Sequence, residues 1–317
     1  MTTINWGIIG CGDVTEVKSG PAFNKVPDSS LVAIMRRDAV KAADYARRHG
    51  VPAWYASAPA LLADPAVNAV YIATPPGSHL EYARLAFAAG KPVYMEKPMA
   101  LTARASREMN KAASTAGLAL SVAHYRKAQP RFRRIRELLS ENAIGSVRMV
   151  NLLLCHPPPA AGWRTDPAIS GGGIFHDLSP HQLDLMLYFF GDYAEAHGLS
   201  VNQAKQYPAP DLVTGTIVFN SGVIFTGSWC FTASAGEARD EVVITGSTGT
   251  IRFSTFSTDY FTISRNGKED VESFPVLPHV QQPMIEAVVQ YFLGRAENPS
   301  PPAAAIKTMD LIESFTR

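Results

Sequence analysis

Cysteine is scarce. The 317-residue chain holds three, Cys11, Cys155 and Cys230, separated far more widely than the paired spacings that bind zinc or run thiol exchange. An odd number also argues against a disulfide framework, so a reducing compartment is expected. An excess of one charge is missing too: Lys and Arg total 29 against 28 Asp and Glu, a net charge of +1. No global field therefore favours a nucleic acid or an anionic membrane as partner. No apolar run is long enough to span a bilayer, and the opening Met1-Thr2-Thr3-Ile4-Asn5-Trp6 carries no basic stretch, so a cytoplasmic location is expected. Internal repeats and low-complexity tracts are also lacking. What is there is a globular balance, 46% hydrophobic and 18% charged, over a length that suits about two domains. A small molecule is the partner class that this composition favours.

Short apolar runs at 4–9, 31–35, 69–73, 93–95 and 118–122 read as buried strands. Helical patterns lie between them at 39–49 and 78–89, the second opening on Ser78 and closing on Gly90. Strand and helix in alternation predict a parallel sheet wound with helices, and the rhythm stops near Ala123. Beyond it a basic helix from Pro130 leads into a strand over 147–155, then come Pro157-Pro158-Pro159, Gly171-Gly172-Gly173 and a helix over about 176–190. After Pro210 consecutive strands are punctuated by turn signals at 220–222, 246–249 and 266–267, a pattern of antiparallel hairpins. Helices over 284–293 and 303–315 close the chain. The expected fold class is α/β: an N-terminal Rossmann doubly wound parallel sheet over 1–123, and over 124–317 an α+β domain with a large, mostly antiparallel open sheet.

Within that second sheet, 223–231 alternates two kinds of side chain. Val223, Phe225, Trp229 and Phe231 share one side, and Ile224, Thr226, Ser228 and Cys230 the other. The aromatic side suits the domain's own core. The mixed side is too extensive to stay wet, and a second copy of the chain is the expected cover, unless the Pro-rich segment and C-terminal helices fold over it.

Ile8-Ile9-Gly10-Cys11-Gly12-Asp13-Val14-Thr15 ends the first strand and begins a helix. Gly10 and Gly12 would let a pyrophosphate approach the main chain at the helix start, beside Asp13 and Val14; Thr15 stands where the usual motif has its third glycine. The second strand runs into Arg36-Arg37-Asp38, where an acidic residue normally accepts hydrogen bonds from the adenosine ribose. Arginine cannot accept them but can pair with a 2′-phosphate, so NADP(H) is preferred, with NAD(H) as the alternative. Arg36 stacking on adenine, with Asp38 in the acidic role, is the competing reading.

Further segments fall in a definite order: Thr74-Pro75-Pro76-Gly77-Ser78-His79, Glu96-Lys97-Pro98, Tyr125-Arg126, Trp163-Arg164, the glycine run, then Asp177, His181 and Asp184. In this order they resemble the Gfo/Idh/MocA oxidoreductases, the family of glucose-fructose oxidoreductase and inositol dehydrogenases. The resemblance implies a nicotinamide-dependent dehydrogenase or reductase acting on CH-OH groups of a sugar, cyclitol or related polyol. It also implies cofactor contacts from Thr74, Pro75, Pro76, His79, Glu96, Lys97, Trp163 and Arg164, substrate contacts from Lys97, Tyr125, Arg126, Asp177 and His181, and a peptide bond before Pro98 that is often cis. Lys97, Asp177 and His181 would be the catalytic residues. No ligand spacing supports a metal. A homodimer or homotetramer built on the second sheet is implied as well.

The residues agree with those roles on elementary grounds. Asp177 and His181, four apart on a helix, share a face. A histidine near neutrality suits the proton that accompanies hydride transfer, His181 being the candidate and His176 the alternative. Lys97 would stabilise charge developing on the reacting oxygen, with Asp177 orienting substrate or imidazole. Taken singly, such a lysine is more often a solvated surface charge, and such an Asp and His pair a helix cap with a polar neighbour. Two other functions remain: a non-catalytic sensor of NADP or a sugar, which would have no use for Lys97, Asp177 and His181, and an enzyme that oxidises its substrate transiently while keeping its cofactor.

Overall fold

The run Ile4–Ile9 is apolar at nearly every position, as a strand covered on both faces requires, and in the computed structural model, which describes residues 2–316, it is the centre of a parallel sheet. Two units emerge: Met1–Gln129 with Leu277–Lys307, and Pro130–Val276 with Thr308–Arg317.

In the first unit, β1 (Ile4–Ile9), α1 (Asp13–Val17), β2 (Ser29–Met35), α2 (Ala39–His49), β3 (Ala53–Tyr55), α3 (Ala58–Ala63), β4 (Ala69–Ile72), α4 (His79–Ala88), β5 (Val93–Met95), α5 (Ala103–Ala116) and β6 (Leu120–Val122) alternate along the chain. Their six strands take the order β3-β2-β1-β4-β5-β6, all parallel. Strand order reverses between β1 and β4, and the carboxyl ends at that reversal are where ligands bind in such sheets. Trp6 anchors one face: it is fully buried, its centroid lies 4.9 Å from Phe23 and 5.6 Å from Phe292, and its indole N–H donates to Ser29 Oγ at 3.1 Å. Burying such a ring stabilises by about 1.5–3 kcal/mol, and the indole nitrogen must find an acceptor to realise it.

The second unit opens with α6 (Pro130–Ser140), β7 (Val147–Cys155), α7 (Pro167–Ser170) and α8 (Ile174–Phe190). There follow β8 (Tyr193–Val201), β9 (Leu212–Phe219), β10 (Ile224–Cys230), β11 (Arg239–Gly246), β12 (Gly249–Phe253), β13 (Tyr260–Arg265) and β14 (Lys268–Ser273). The eight strands run β14-β13-β12-β11-β7-β10-β9-β8, antiparallel except for the β7–β10 pair. The chain then returns to the first unit with α9 (Gln282–Phe292), and α10 (Pro302–Thr316) contributes to both. The fold class is thus a Rossmann doubly wound sheet with a large, mostly antiparallel α+β unit.

Phe225, Trp229 and Phe231 are fully buried, under α8 and the end of α10: Trp229 lies 5.1 Å from Phe175 and 6.0 Å from Phe315. Gly215 exists for this packing, since a Cβ there would meet the Phe315 ring at 2.3 Å. On the other side of the sheet Met149, Leu199 and Ile224 are exposed, and Thr226 donates to Asn151 Oδ1 at 2.7 Å. Among the described residues, no helix is long and apolar enough to cross a membrane.

Candidate active site

In the first unit the glycine turn leaves β1 with Gly10 at φ +94°. Only glycine fits, because a Cβ would lie 2.5 Å from Thr74 Cγ2 and 2.9 Å from the Thr74 amide nitrogen. The turn and the Thr74-Pro75 loop are thereby held against each other at the β1 and β4 ends. Gly12 starts α1, and a Cβ there would have nothing within 4 Å, so that main chain faces open space; Asp13 is exposed and Val14 half-buried.

At the end of β2, Arg36 donates from Nη1 to the Cys11 carbonyl at 3.1 Å, which folds its guanidinium over the turn, while Arg37 is exposed. Asp38 caps α2, accepting from the Lys41 amide at 3.1 Å, and that hydrogen bond holds its carboxyl below the usual value. An open glycine main chain with a guanidinium above it makes a cradle that fits the pyrophosphate of a dinucleotide.

His79 at the start of α4 is fully buried, with Nε2 facing the Thr74 carbonyl at 2.7 Å and Nδ1 facing those of Pro98 and Met99 at 3.1 and 3.3 Å. Burial pushes its pKa down, with Lys97 adding a smaller push. The imidazole lies between the Thr74-Pro75-Pro76 loop and the Glu96-Lys97-Pro98 loop, and its single N–H in the neutral form donates to a main-chain carbonyl of one of them. The Lys97-Pro98 bond is cis. Glu96 is 5% exposed; its Oε2 accepts from the Lys97 amide at 3.0 Å, and its Oε1 accepts from Tyr71 Oη and from Gln281 Nε2 at 2.6 Å. Tyr125 is buried in the short helical turn Tyr125–Ala128, with the Arg126 guanidinium 5.5 Å from its ring centroid.

In the second unit the glycine run has a steric reason. Gly171 and Gly173 take φ of +92° and +82°, and a Cβ on Gly172 would lie 2.1 Å from the His176 ring. The run lets α8 begin with His176 folded over its own entry. Burial pushes the His176 pKa down to about 4, opposed by a hydrogen bond with the Gly172 main chain. Asp177, one residue on, accepts from Arg164 Nε at 2.8 Å, and the Arg164 guanidinium stacks 4.5 Å from the Trp163 ring centroid. Trp163, Arg164 and Asp177 are therefore one cluster. His181 lies on the same helix, 5% exposed, edge-on to Phe256 at 5.8 Å, and Asp184 is 2% exposed one turn further on.

Sequence reasoning missed the loop behind Phe256. The Asp240 carboxylate accepts from the amides of Thr255, Phe256 and Ser257, and Arg131 donates to the Thr255 carbonyl at 3.3 Å. It also missed Tyr71 and Gln281. A tyrosine inside the buried run of β4 was the available signal, since its hydroxyl must be satisfied.

Comparison with known proteins places these features in context. Residues 4–124 match the oxidoreductase family with an NAD-binding Rossmann fold, and residues 132–252 match the GFO/IDH/MocA C-terminal domain. Oxidoreductase P35 of Formosa agariphila is 44% identical over 98% of each chain. The 1,5-anhydro-D-fructose reductase of Ensifer adhaerens is 32% identical over 75% of this chain and 72% of its own. A 3-ketoreductase of Actinomadura kijaniata, solved in complex with NADP and TDP-benzene, superposes with a TM-score of 0.87 over 99% of this chain and 97% of that one, at 21% identity.

Proposed function

The chain belongs to the GFO/IDH/MocA oxidoreductases, and from that premise we propose that it transfers hydride between NADP(H) and a hydroxyl or carbonyl of a sugar, cyclitol or related polyol. The first unit is the dinucleotide-binding part and the second serves the substrate. The preference for NADP rests on one observation, the Arg36 guanidinium folded over the glycine turn, with Asp38 placed at the cap of α2. A 2′-phosphate would gain a charge-assisted partner there. The 1,5-anhydro-D-fructose reductase and the NADP-bound 3-ketoreductase support the same substrate and cofactor classes.

When bound, the nicotinamide supplies or accepts the hydride. Lys97 holds the reacting oxygen and stabilises the negative charge that develops on it. His181 takes the hydroxyl proton in oxidation and returns it in reduction, and Asp177, fixed by Arg164, orients the substrate. Burial pushes the His176 pKa down and so favours its neutral form, which supports His181 over it for the acid role. The thiols are free in all three cysteines, which suits a reducing cytoplasm. The exposed side of the second sheet is the surface we assign to pairing of two or four copies.

The test is a panel of sugars, cyclitols, dihydrodiols and their keto forms, 1,5-anhydro-D-fructose among them, assayed with NADPH and NADH by nicotinamide absorbance. Arg36→Ala should weaken NADPH by about ten- to a hundredfold, the worth of a charge-assisted hydrogen bond, and leave NADH nearly unchanged. Equal or tighter binding of NADH by the unmodified protein would overturn the NADP assignment, and no turnover with any panel member would overturn the substrate class.

A further inference from the structure

We propose that Gln281 is the positioning residue for Lys97, acting through the Glu96 carboxylate; this rests on the reading of Lys97 as the group that holds the reacting oxygen. Gln281 immediately precedes α9 and is fully buried. Its amide is engaged at both ends: Nε2 donates to Glu96 Oε1 at 2.6 Å and lies 3.4 Å from Tyr71 Oη, and Oε1 accepts from Tyr94 Oη at 3.4 Å. Glu96 is held in turn by its second oxygen, which accepts the Lys97 amide at 3.0 Å. The chain of contacts therefore runs from Gln281, 185 positions from Glu96, to the main chain of the lysine.

The main chain of Gln281 adds a second tie. Its amide donates to the Lys18 carbonyl at 3.2 Å, and His279 Nδ1 faces the Val17 carbonyl at 2.6 Å. The carbonyls that end α1 have no partner within their own helix, so the 279–281 segment satisfies them. One residue thus joins the helix that follows the glycine turn to the loop that carries Lys97. A carboxylate at 5% exposure is costly unless its donors are fixed, and Tyr71 and Tyr94, stacked 5.2 Å apart, wall it in. Removing the Gln281 donor leaves Glu96 Oε1 held by Tyr71 Oη alone, which lets the carboxylate shift and moves the Lys97 main chain by a fraction of an ångström, a displacement to which bound reacting geometry is sensitive.

Three variants are compared with the unmodified protein, using NADPH and the panel member of highest kcat/KM. Gln281→Met keeps the length of the side chain but has no donor; kcat should fall roughly 10- to 100-fold while KM and the NADPH dissociation constant stay within about threefold. Gln281→Glu can donate to Glu96 only when one carboxyl of the pair is protonated, so its kcat should gain a rise with falling pH beyond the one that proton donation by His181 gives the unmodified protein, read as the difference between the two pH profiles. The exchange Glu96→Gln with Gln281→Glu restores one amide and one carboxylate with polarity reversed, and should recover most of the kcat lost in Gln281→Met. Lys97→Ala is run alongside. If it abolishes turnover while Gln281→Met stays within threefold of the unmodified kcat, the positioning role is overturned and the reading of Lys97 stands. If Lys97→Ala turns over normally, that reading fails and this inference with it. If kcat falls only in step with melting temperature and the exchange recovers nothing, Gln281 is a scaffold residue and the proposal is overturned.

Discussion

Acidification should expose the burial of His176 directly. The residue is 6% exposed, its ring sits over Gly172, and its pKa is pushed from an ordinary 6.5 down to about 4. The folded state refuses a proton that the unfolded chain accepts near 6.5, so the neutral ring's contribution is complete above that pH and is lost as pH falls toward 4. At about 1.36 kcal/mol per pH unit the whole gap is worth about 3 kcal/mol, of which about 2 kcal/mol falls between pH 7 and pH 5. Urea unfolding followed by far-ultraviolet circular dichroism at those two pH values measures it, in the unmodified protein and in His176→Gln. The substitution carries its own fixed cost, which cancels when each protein is compared with itself across pH. The unmodified protein should lose about 2 kcal/mol more than the variant over that interval. Equal losses would mean that the imidazole is as easily protonated in the fold as out of it, and the argument from burial would be refuted.

Lys97→Ala and His181→Ala should each lower turnover by about 10²- to 10⁴-fold, with the NADPH dissociation constant little changed for His181→Ala, as fluorescence titration would report. His176→Gln should keep turnover within about tenfold of the unmodified protein; the opposite ranking of the two histidines would reassign the proton donor. Light scattering at micromolar concentration should give a multiple of 34.3 kDa, and Thr226→Glu on the exposed side of β10 should shift the mass toward a single chain; a mass already at 34.3 kDa refutes the pairing surface.

How much of this was legible depended on whether a residue's reason lay nearby in the chain. The two faces of β10 follow from period-two alternation, and Phe225, Trp229 and Phe231 are buried as that pattern requires. Strand β8 escaped because Tyr193–Val201 has no buried position to mark a face, Glu195, His197 and Gly198 all lying at the surface. The glycine run could be read as a turn, but not that Gly172 makes room for a histidine four residues on. The acidic alternative to Arg36 was equally open in the sequence, although Asp38 stands immediately before the helix over 39–49, where its oxygen can accept the Lys41 amide three residues on. Glu96 and Gln281 carry no joint signal at all, since only the return of the chain with α9 brings them together.

The departure from the glycine motif at Thr15 shows how a sequence rule can be kept in substance after it is broken in letter. The third glycine of that motif serves close packing of helix on strand. Here Thr15 is fully buried, its hydroxyl turned back to the Gly12 carbonyl at 2.7 Å and its own carbonyl taken by Tyr45 Oη at 2.8 Å. The room for that arrangement comes from Gly20, where a Cβ would lie 2.2 Å from the Thr15 oxygen and 2.3 Å from Tyr45 Oη. The requirement for a residue without a side chain has moved five positions along the chain, from the helix itself to the turn that follows it. A motif scan scores Thr15 as a defect, whereas the packing shows a substitution whose compensation lies at Gly20 and Tyr45.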